Sequence, residues 1–520
     1  MLNVTKMTKR GFFMCLLLCL ITPSVSKAQL WTQQTPTFLL PSDIGLKLAQ
    51  FGYSTSLTAD GNTAIVGAKT LRIGDNSFQG AAYIYTRTSG VWTQKQQLVA
   101  TVGRENDNFG SSVSFSADGR IALIGAIERT NLRGGKACIF VNINGTWVQK
   151  AEFKSSEAAT YDDFGAEVCL SADGNTAIVS APQKSYGFAF TSGQGVCYFF
   201  TRTNDSTWVQ RQVIKPLMSS GLGGEKFGTS VSLSSDANTL LIGAPSFQTG
   251  DNGRGMGAGK VYIFKRVNNV WTQQQGFLAA DSNEGDQFGY DVSLSGDGNT
   301  ALIGAYYKTV GATERRGKVY IFAPINNTWV EQYTLTPPNR DSVVSFGESV
   351  AFSSDGYTAL IGTTGTLTGQ GKGYVFARTN SGWVQQSELL ASDGQSQDYF
   401  GSNVSLSSNG NTAFIGAHFR RNSIGGVHVF IRNPNATVDH KLETAVNIYP
   451  SVTSDFLTVE LEKSGTELSL DIANAIGQIV KTQKIQSSST VDMRPLLRGL
   501  YFVSVRDATG KISTQKVVKE

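Results

Sequence analysis

All seven tryptophans of this 520-residue chain fall at one position of a repeating unit: Trp31, Trp92, Trp147, Trp208, Trp271, Trp329 and Trp383. Each is followed by Thr or Val and then by Gln, with Glu331 the one substitute, and the intervals run from 54 to 63 residues. Self-similarity at such a period means an array of supersecondary units that bury their hydrophobic faces against one another. It also weighs against catalysis, which gathers unlike groups at one spot, whereas this chain repeats like groups.

Phe-Gly recurs between the tryptophans, at Phe51-Gly52, Phe109-Gly110, Phe164-Gly165, Phe227-Gly228, Phe288-Gly289, Phe346-Gly347 and Phe400-Gly401. A Gly-Lys segment follows, GKVYIF at 259–264 and 317–322 and GKGYVF at 371–376. One unit reads FGxSVSLS, a DGN turn, TALIGA, a variable loop, GKVYIF, a short polar turn, then WTQQ. The first two segments are small or apolar on both alternation phases, as in strands covered on both faces. The Trp segment alternates apolar with polar, as in a strand with one wet face. Asp-Gly-Asn marks a tight hairpin, since Asp and Gly both tolerate positive φ. Four strands per unit, dry inside and wetter outside, make a propeller blade.

The ends of the array extend this reading. After the seventh GKVYIF-like segment, 426–430, no Trp strand follows, whereas QLWTQQ at 29–34 is a fourth strand without its first three. If Trp31 completes the last blade, the ring closes and no sheet lacks its edge partner; the alternative is a linear stack. Closure makes Trp31 the equal of a mid-array residue such as Trp208. Phe is expected to pack between blades and Gly to permit close backbone approach. An acid stands two residues before Phe in five copies, Asp107, Asp162, Glu225, Asp286 and Asp398. It either satisfies turn amides or contributes to a repeated ion site.

These residues resemble FG-GAP repeats, the units of the integrin α-subunit propeller, from about Trp31 to Phe430. The resemblance implies a seven-bladed β-propeller. Integrin-type repeats often carry a calcium loop of DxDxDG kind, but here that loop is only Asp60-Gly61-Asn62, Asp173-Gly174-Asn175 or Asp297-Gly298-Asn299. One Asp with short neighbours cannot supply the six or more oxygens calcium takes. No metal, cofactor or catalytic residue is therefore assigned.

Lys6, Lys9 and Arg10 precede an apolar run over 11–21, and Ser26-Lys27-Ala28 offers small residues for cleavage, so 1–28 reads as a signal peptide. No other stretch is apolar and long enough to cross a membrane. Beyond 28 the cysteines are Cys138, Cys169 and Cys197, an odd number in apolar strand patterns, which reads as buried free thiols. The net charge of +5 is spread too thinly to argue for nucleic acid. The propeller is expected over 29–432, a polar linker over 433–443, and a second domain over 444–520. That last segment alternates as short strands at 456–462, 468–474, 478–485, 499–507 and 511–520, which suggests a small Ig-like β-sandwich. The fold class is thus all-β, a seven-bladed propeller closed by an N-terminal strand and followed by the sandwich.

The C-terminal segment resembles the type A sorting domain of the bacterial type IX secretion system. The matching positions include Tyr449 and Pro450, Gly477, Leu496, Gly499, Tyr501, Lys516 and Lys519. The family reads YPNP where this chain has Tyr449-Pro450-Ser451-Val452. The resemblance implies Sec export, passage through the outer membrane of a Gram-negative cell by the type IX machinery, and removal of the domain. Attachment to surface lipopolysaccharide, or release, would follow. The other reading is a sandwich that itself binds something.

Only three histidines exist. His428 stands where other copies carry Tyr262, Tyr320 or Tyr374, a packing position; His440 lies in the linker; His418 opens a variable loop. No metal-ligand spacing, nucleophile elbow or phosphate loop is present. Alternation puts the long loops between second and third strands on the same ring face as the blade-to-blade connections, and binding residues concentrate on such loops. They hold Arg133, Arg254, Arg315, Arg316, Arg420 and Arg421, with Tyr186, Phe188, Phe190, Phe247 and Phe419. Arginine beside aromatics suits anionic or glycan partners; the plainer reading is solvated loop charge. The expected function is a secreted or cell-surface, non-enzymatic, monomeric binding or adhesion protein with a glycan or protein ligand. The alternative is an extracellular polysaccharide hydrolase or lyase, which would gather unlike acids, or an acid with His418, at one point of the loop face.

Overall fold

A computed structural model describes residues 30–36, 38–45, 48–128, 134–156, 161–186, 193–204, 206–217, 224–249, 257–310, 315–337, 343–366, 369–379, 382–433, 446–461, 467–474, 479–506 and 512–520. Seven four-stranded antiparallel sheets follow one another along the chain. The first strands are Phe51–Leu57, Phe109–Phe115, Val168–Leu170, Val231–Leu233, Val292–Leu294, Ser349–Phe352 and Phe400–Leu406, which number blades 1 to 7. Each first strand touches both neighbouring first strands, so they surround an axis. Blade 7 takes its fourth strand from the N-terminal side: Trp31–Gln33 pairs with Val427–Arg432, Trp31 opposite Arg432. The ring is closed, not a linear stack.

The repeated residues make the joints. The Phe-Gly glycines sit at positive φ, 89° at Gly110, so the backbone can press against the preceding blade. A Cβ on Gly67 would lie 2.1 Å from the Gly110 carbonyl oxygen, and one on Gly416 would lie 2.2 Å from that of Gly52. The same contact therefore occurs inside the array and at its closure. Phe51 is fully buried among residues of blades 7 and 1.

The W-x-Q motif has a hydrogen-bond cause. The residue two after Trp accepts an amide from the segment leaving the preceding blade: Gln149 from Thr101 at 2.8 Å, Gln273 from Leu217 at 2.9 Å, Gln33 from Ser392 at 3.0 Å. Glu331 accepts from Ala280 at 3.3 Å, and it can replace Gln because only the acceptor oxygen is needed. Four residues after Trp, Gln96, Gln212 and Gln275 each hold the amide and carbonyl of the next blade's Trp, at 2.8–2.9 Å. In blades 1 to 6 a bulge falls between these positions, as where Ile84 faces Gln96 but Tyr85 faces Gln94. Simple alternation of the fourth strand is thereby broken.

The first strands have no further strand on their axial side, and unpaired edge amides need partners. Side-chain hydroxyls of the preceding blade supply them. Ser112 and Ser114 accept from Val168 and Leu170 at 3.1 and 3.0 Å; Ser230 and Ser232 accept from Val292 and Leu294 at 3.0 Å. Thr55 donates to Asn403 at 2.7 Å across the closing joint.

The DGN turns differ in detail from the expectation. Positive φ belongs to the Gly position, as at Gly61 (67°), with Ala237 (54°) in blade 4. The Asp instead accepts hydrogen bonds: Asp60 from Thr58 at 2.6 Å and from the Asn62 amide at 2.9 Å.

The C-terminal strands form a three-stranded and a five-stranded sheet around one core containing Leu457, Val459, Leu470, Ile472, Val503 and Val505. Val446–Tyr449, Val452–Thr453 and Ser489–Asp492 are strands that alternation did not single out, being two to four residues long. Among the described residues no helix is long and apolar enough to cross a membrane. Cys138, Cys169 and Cys197 are free thiols, the first and last fully buried. Burial pushes the Cys138 and Cys169 thiols up to about 12.

Candidate functional site

Four of the five acids before Phe-Gly are buried beside cations from the chain itself. Asp107 meets Lys136 at 2.7 Å, Asp162 meets Lys184 at 2.9 Å, Asp286 meets Lys308 at 2.8 Å and Asp398 meets Arg420 at 3.4 Å. Glu225 accepts from the Tyr262 hydroxyl at 3.1 Å. The same carboxylates accept turn amides, Asn283 to Asp286 at 2.7 Å and Gln395 to Asp398 at 2.9 Å. Internal ammonium or guanidinium groups thus already engage four of these carboxylates. In the DGN turns, burial pulls the Asp60, Asp173, Asp236 and Asp297 carboxyls upward. Hydrogen bonds from the neighbouring Ser or Thr and Asn outweigh it and leave them below the ordinary range. No group of three or more metal-binding side chains occurs among the described residues.

The loop-face candidates separate. Arg133, Arg254, Phe188 and Phe190 lie outside the described residues. Arg420 is buried, paired with Asp393 at 2.6 Å and lying 4.2 Å from the Phe38 ring centre, so it holds its own loop rather than facing a ligand. Arg421 is exposed over the same ring at 5.1 Å, and Arg315 is exposed over Tyr307 at 5.1 Å. Arg316 is half-buried. Tyr186 and Phe247 are half-buried and carry Lys215 and Lys260 over their rings, at 4.9 and 4.4 Å. Arg315, through Tyr307, borders the group at the axis end described next, and the other described positions are scattered around the ring.

A convergent group exists at two other positions. The second residue after Phe, at the entry of the first strand, meets the residue that follows the second strand of the same blade. In blade 5 Tyr290 lies 4.2 Å from Tyr306, centre to centre, and Tyr306 equally near Tyr307. In blade 6 Thr364 donates to Glu348. In blade 7 Ser402 and His418 Nδ1 are 2.7 Å apart. In blade 1 the Lys69 ammonium lies 3.2 Å from the centre of the Tyr53 ring. Blades 2, 3 and 4 carry Ser111 and Ile127, Ala166 and Pro182, and Thr229 and Pro245 instead. The large polar and aromatic pairs therefore occupy four adjacent blades, and the small pairs the other three.

The four pairs communicate across the axis end. The Tyr53 ring packs edge-on against His418 at 5.3 Å, and Tyr399 and Phe419 extend the aromatic surface at 5.9 and 4.5 Å from His418. Burial, then Glu348 and Tyr53, push the Tyr290 hydroxyl up, which places blades 1, 5 and 6 in electrostatic reach. Burial, with Lys69 second, pushes His418 down to about 3. His418 is thus neutral at physiological pH and a weak base, and no carboxylate hydrogen-bonds it among the described residues. The Ser402–His418 pair lacks the orienting acid of a nucleophilic triad. Reading against the consensus would have found this group, since Tyr53 and Tyr290 are the only large aromatics at their repeat position. His428, by contrast, packs edge-on against Phe400 at 5.1 Å as Tyr320 does against Phe288 at 5.3 Å. It also meets Gln33 of the closing strand at 3.0 Å.

Two further acids line the axis, Glu167 in blade 3 and Asp291 in blade 5. Burial, then the charge of Asp291, pushes Glu167 up to about 8. Burial also raises Asp291. Asp291 takes the place of a joint serine, accepting from Val350 at 2.7 Å and from Ser230 at 2.8 Å.

In the C-terminal sheets Tyr449 is exposed at a strand end and Leu496 packs on the core. Gly499 opens a strand in which Tyr501 is buried and donates to the Leu497 carbonyl at 2.8 Å. Lys516 is exposed and Lys519 buried. Gly477 and the signal-like residues 1–28 lie outside the described residues.

Architecture and face define the class: a closed seven-bladed propeller with an unequal loop face, continued by a small β-domain. Residues 92–140, 208–264, 271–322 and 383–430 match the FG-GAP repeat family, and 447–520 match the secretion system C-terminal sorting domain. The chain thus carries FG-GAP repeats followed by such a sorting domain. Integrin alpha-D of Homo sapiens is 26% identical over 233 residues, which cover 42% of this chain but only 18% of that relative. The tail marks the protein as secreted or displayed at the surface of a Gram-negative bacterial cell, and implies handling by the type IX machinery.

Proposed function

We propose that the protein is a non-enzymatic binding or adhesion module, with the loop face of the propeller (29–432) as its platform. Beyond a linker (433–443), the domain over 444–520 acts as export signal and is removed, with lipopolysaccharide attachment or release of the monomeric ring. The observation that carries this reading is the set of rings and hydroxyls on four adjacent blades, which offers aromatic and hydroxyl contact surface on one side of the axis. A glycan and matrix-protein array probed with the surface-processed protein tests it. Capture of a ligand unchanged in covalent structure is expected, and turnover of that ligand would refute it.

The hydrolase reading draws on one observation, the raised carboxyls of Glu167 and Asp291, since perturbed acids cluster at catalytic sites. Asp291 is committed to the backbone and hydroxyl of its neighbours, which favours a joint role. Polysaccharide cleavage that disappears in Glu167→Gln would restore the hydrolase.

A further inference from the structure

We infer that the axial mouth bounded by blades 5, 6, 7 and 1 is a saccharide site that takes an uncharged sugar unit of a longer glycan. The inference rests on the binding reading above and names its ligand class. Its first support is composition. Tyr53, Tyr290 and Tyr306 present apolar ring bodies with hydroxyl tips, and tyrosine serves where one end of a contact is apolar and the other wet. Specific sites combine such surfaces with a few placed polar groups. Ser402 of blade 7 and Thr364 and Glu348 of blade 6 supply these. A pyranose has the matching character, with apolar C–H faces and an equatorial rim of hydroxyls.

The second support is charge. His418 is neutral. Burial raises the Glu348 carboxyl, so its charged form is disfavoured there. The Lys69 ammonium is already seated on the Tyr53 ring. Within the four pairs the charged groups are engaged internally, Lys69 over the Tyr53 ring and Glu348 with Thr364, whereas complementary potential is what recruits charged partners. A polyhydroxylated neutral ligand loses nothing by this. The third support is access: Tyr399 and Phe419 at the rim are 42% and 38% exposed, which leaves aromatic surface for a second sugar unit.

The test is calorimetric titration of the full-chain protein with hexasaccharides of β-glucose, β-N-acetylglucosamine and α-mannose, and with hexa-arginine as the cationic arm. At least one neutral hexasaccharide should bind. Tyr290→Ala and Tyr306→Ala should each weaken that binding tenfold or more, about 1.4 kcal/mol. Thr229→Ala, the equivalent position in blade 4, should change it less than twofold. Tyr306→Phe keeps the ring and should retain most of the affinity; melting curves of each variant separate lost contact from lost fold. Failure of all three sugars at millimolar concentration overturns the inference, as does binding indifferent to both alanine variants, or hexa-arginine binding that depends on them. Each of those results leaves the array test of the binding function standing. Cleavage of a mouth-bound sugar would instead remove the non-enzymatic reading and keep the site.

Discussion

Replacing Trp31 by Ala should weaken the whole ring, although Trp31–Gln33 is the shortest fourth strand. Trp31 is 1% exposed and packs with Leu360, Val375 and Leu389 of blade 6 and Phe430 of blade 7. A buried Trp covers about 150–250 Å², worth about 4–6 kcal/mol at about 25 cal/mol per Å². Truncations of this kind cost about 3–5 kcal/mol, a large part of a domain's net about 5–15 kcal/mol. The sequence-based expectation made Trp208 the mid-array equal. The structure corrects this, because Trp208 is half-buried whereas Trp271 is 2% exposed. Urea unfolding should therefore rank Trp31→Ala with Trp271→Ala, and Trp208→Ala as milder. Gln33→Ala should add a smaller separate loss of about 0.5–1.5 kcal/mol, since it removes the hydrogen bonds to the exposed Ser392 amide and to His428. An unchanged unfolding midpoint in Trp31→Ala beside a collapsed one in Trp271→Ala would refute closure by the N-terminal strand.

Lys308→Met should cost about 3–5 kcal/mol by leaving Asp286 buried and unpaired, and adding Asp286→Asn should recover much of it in the same unfolding assay. Ala237→Gly should stabilise by about 0.2–1.2 kcal/mol: relief of left-handed backbone, about 1–2 kcal/mol, exceeds the lost buried methyl, about 0.8 kcal/mol. Glu167 binds its proton more tightly when folded, so stability falls as pH rises from 4.5, its ordinary value, through about 8. Glu167→Gln should remove that slope, at most about 1.4 kcal/mol per pH unit, in denaturation curves taken across this window. Melting with and without a chelator should coincide, because the turn and Phe-Gly carboxylates are engaged internally; a chelator-induced drop would reveal a missed metal site.

What could be read from the sequence and what could not divide along a physical line. The joints were legible because they rest on backbone contacts that recur: Gly110 against Gly67, Gln149 on Thr101, Trp31 in the gap of blade 7. A contact made identically at successive joints leaves the same residue at the same interval, and its period can be read without coordinates. The axial hydroxyl clasps escaped because a serine in a strand of small residues carries no signal until its neighbour blade is placed. Asp291 and Glu167 were invisible for the same reason. The loop arginines misled in the opposite way. Arg420 stands in a variable loop, yet its loop folds back onto Asp393 and Asp398, an internal pair that only geometry reveals.

The mouth was missed because it is written in departures from the repeat rather than in the repeat. Averaging seven copies makes the blade clear and erases Tyr53 and Tyr290, shared by two copies, and Glu348 and His418, each found in one. A ring of equal blades can bind only what shares its symmetry or what fits one blade. Side chains that make four adjacent blades unlike the other three do nothing for closure, since the small pairs of blades 2 to 4 close their joints as well. Their grouping on one side of the axis therefore calls for a cause outside the fold, and a ligand that lacks the ring's symmetry supplies one.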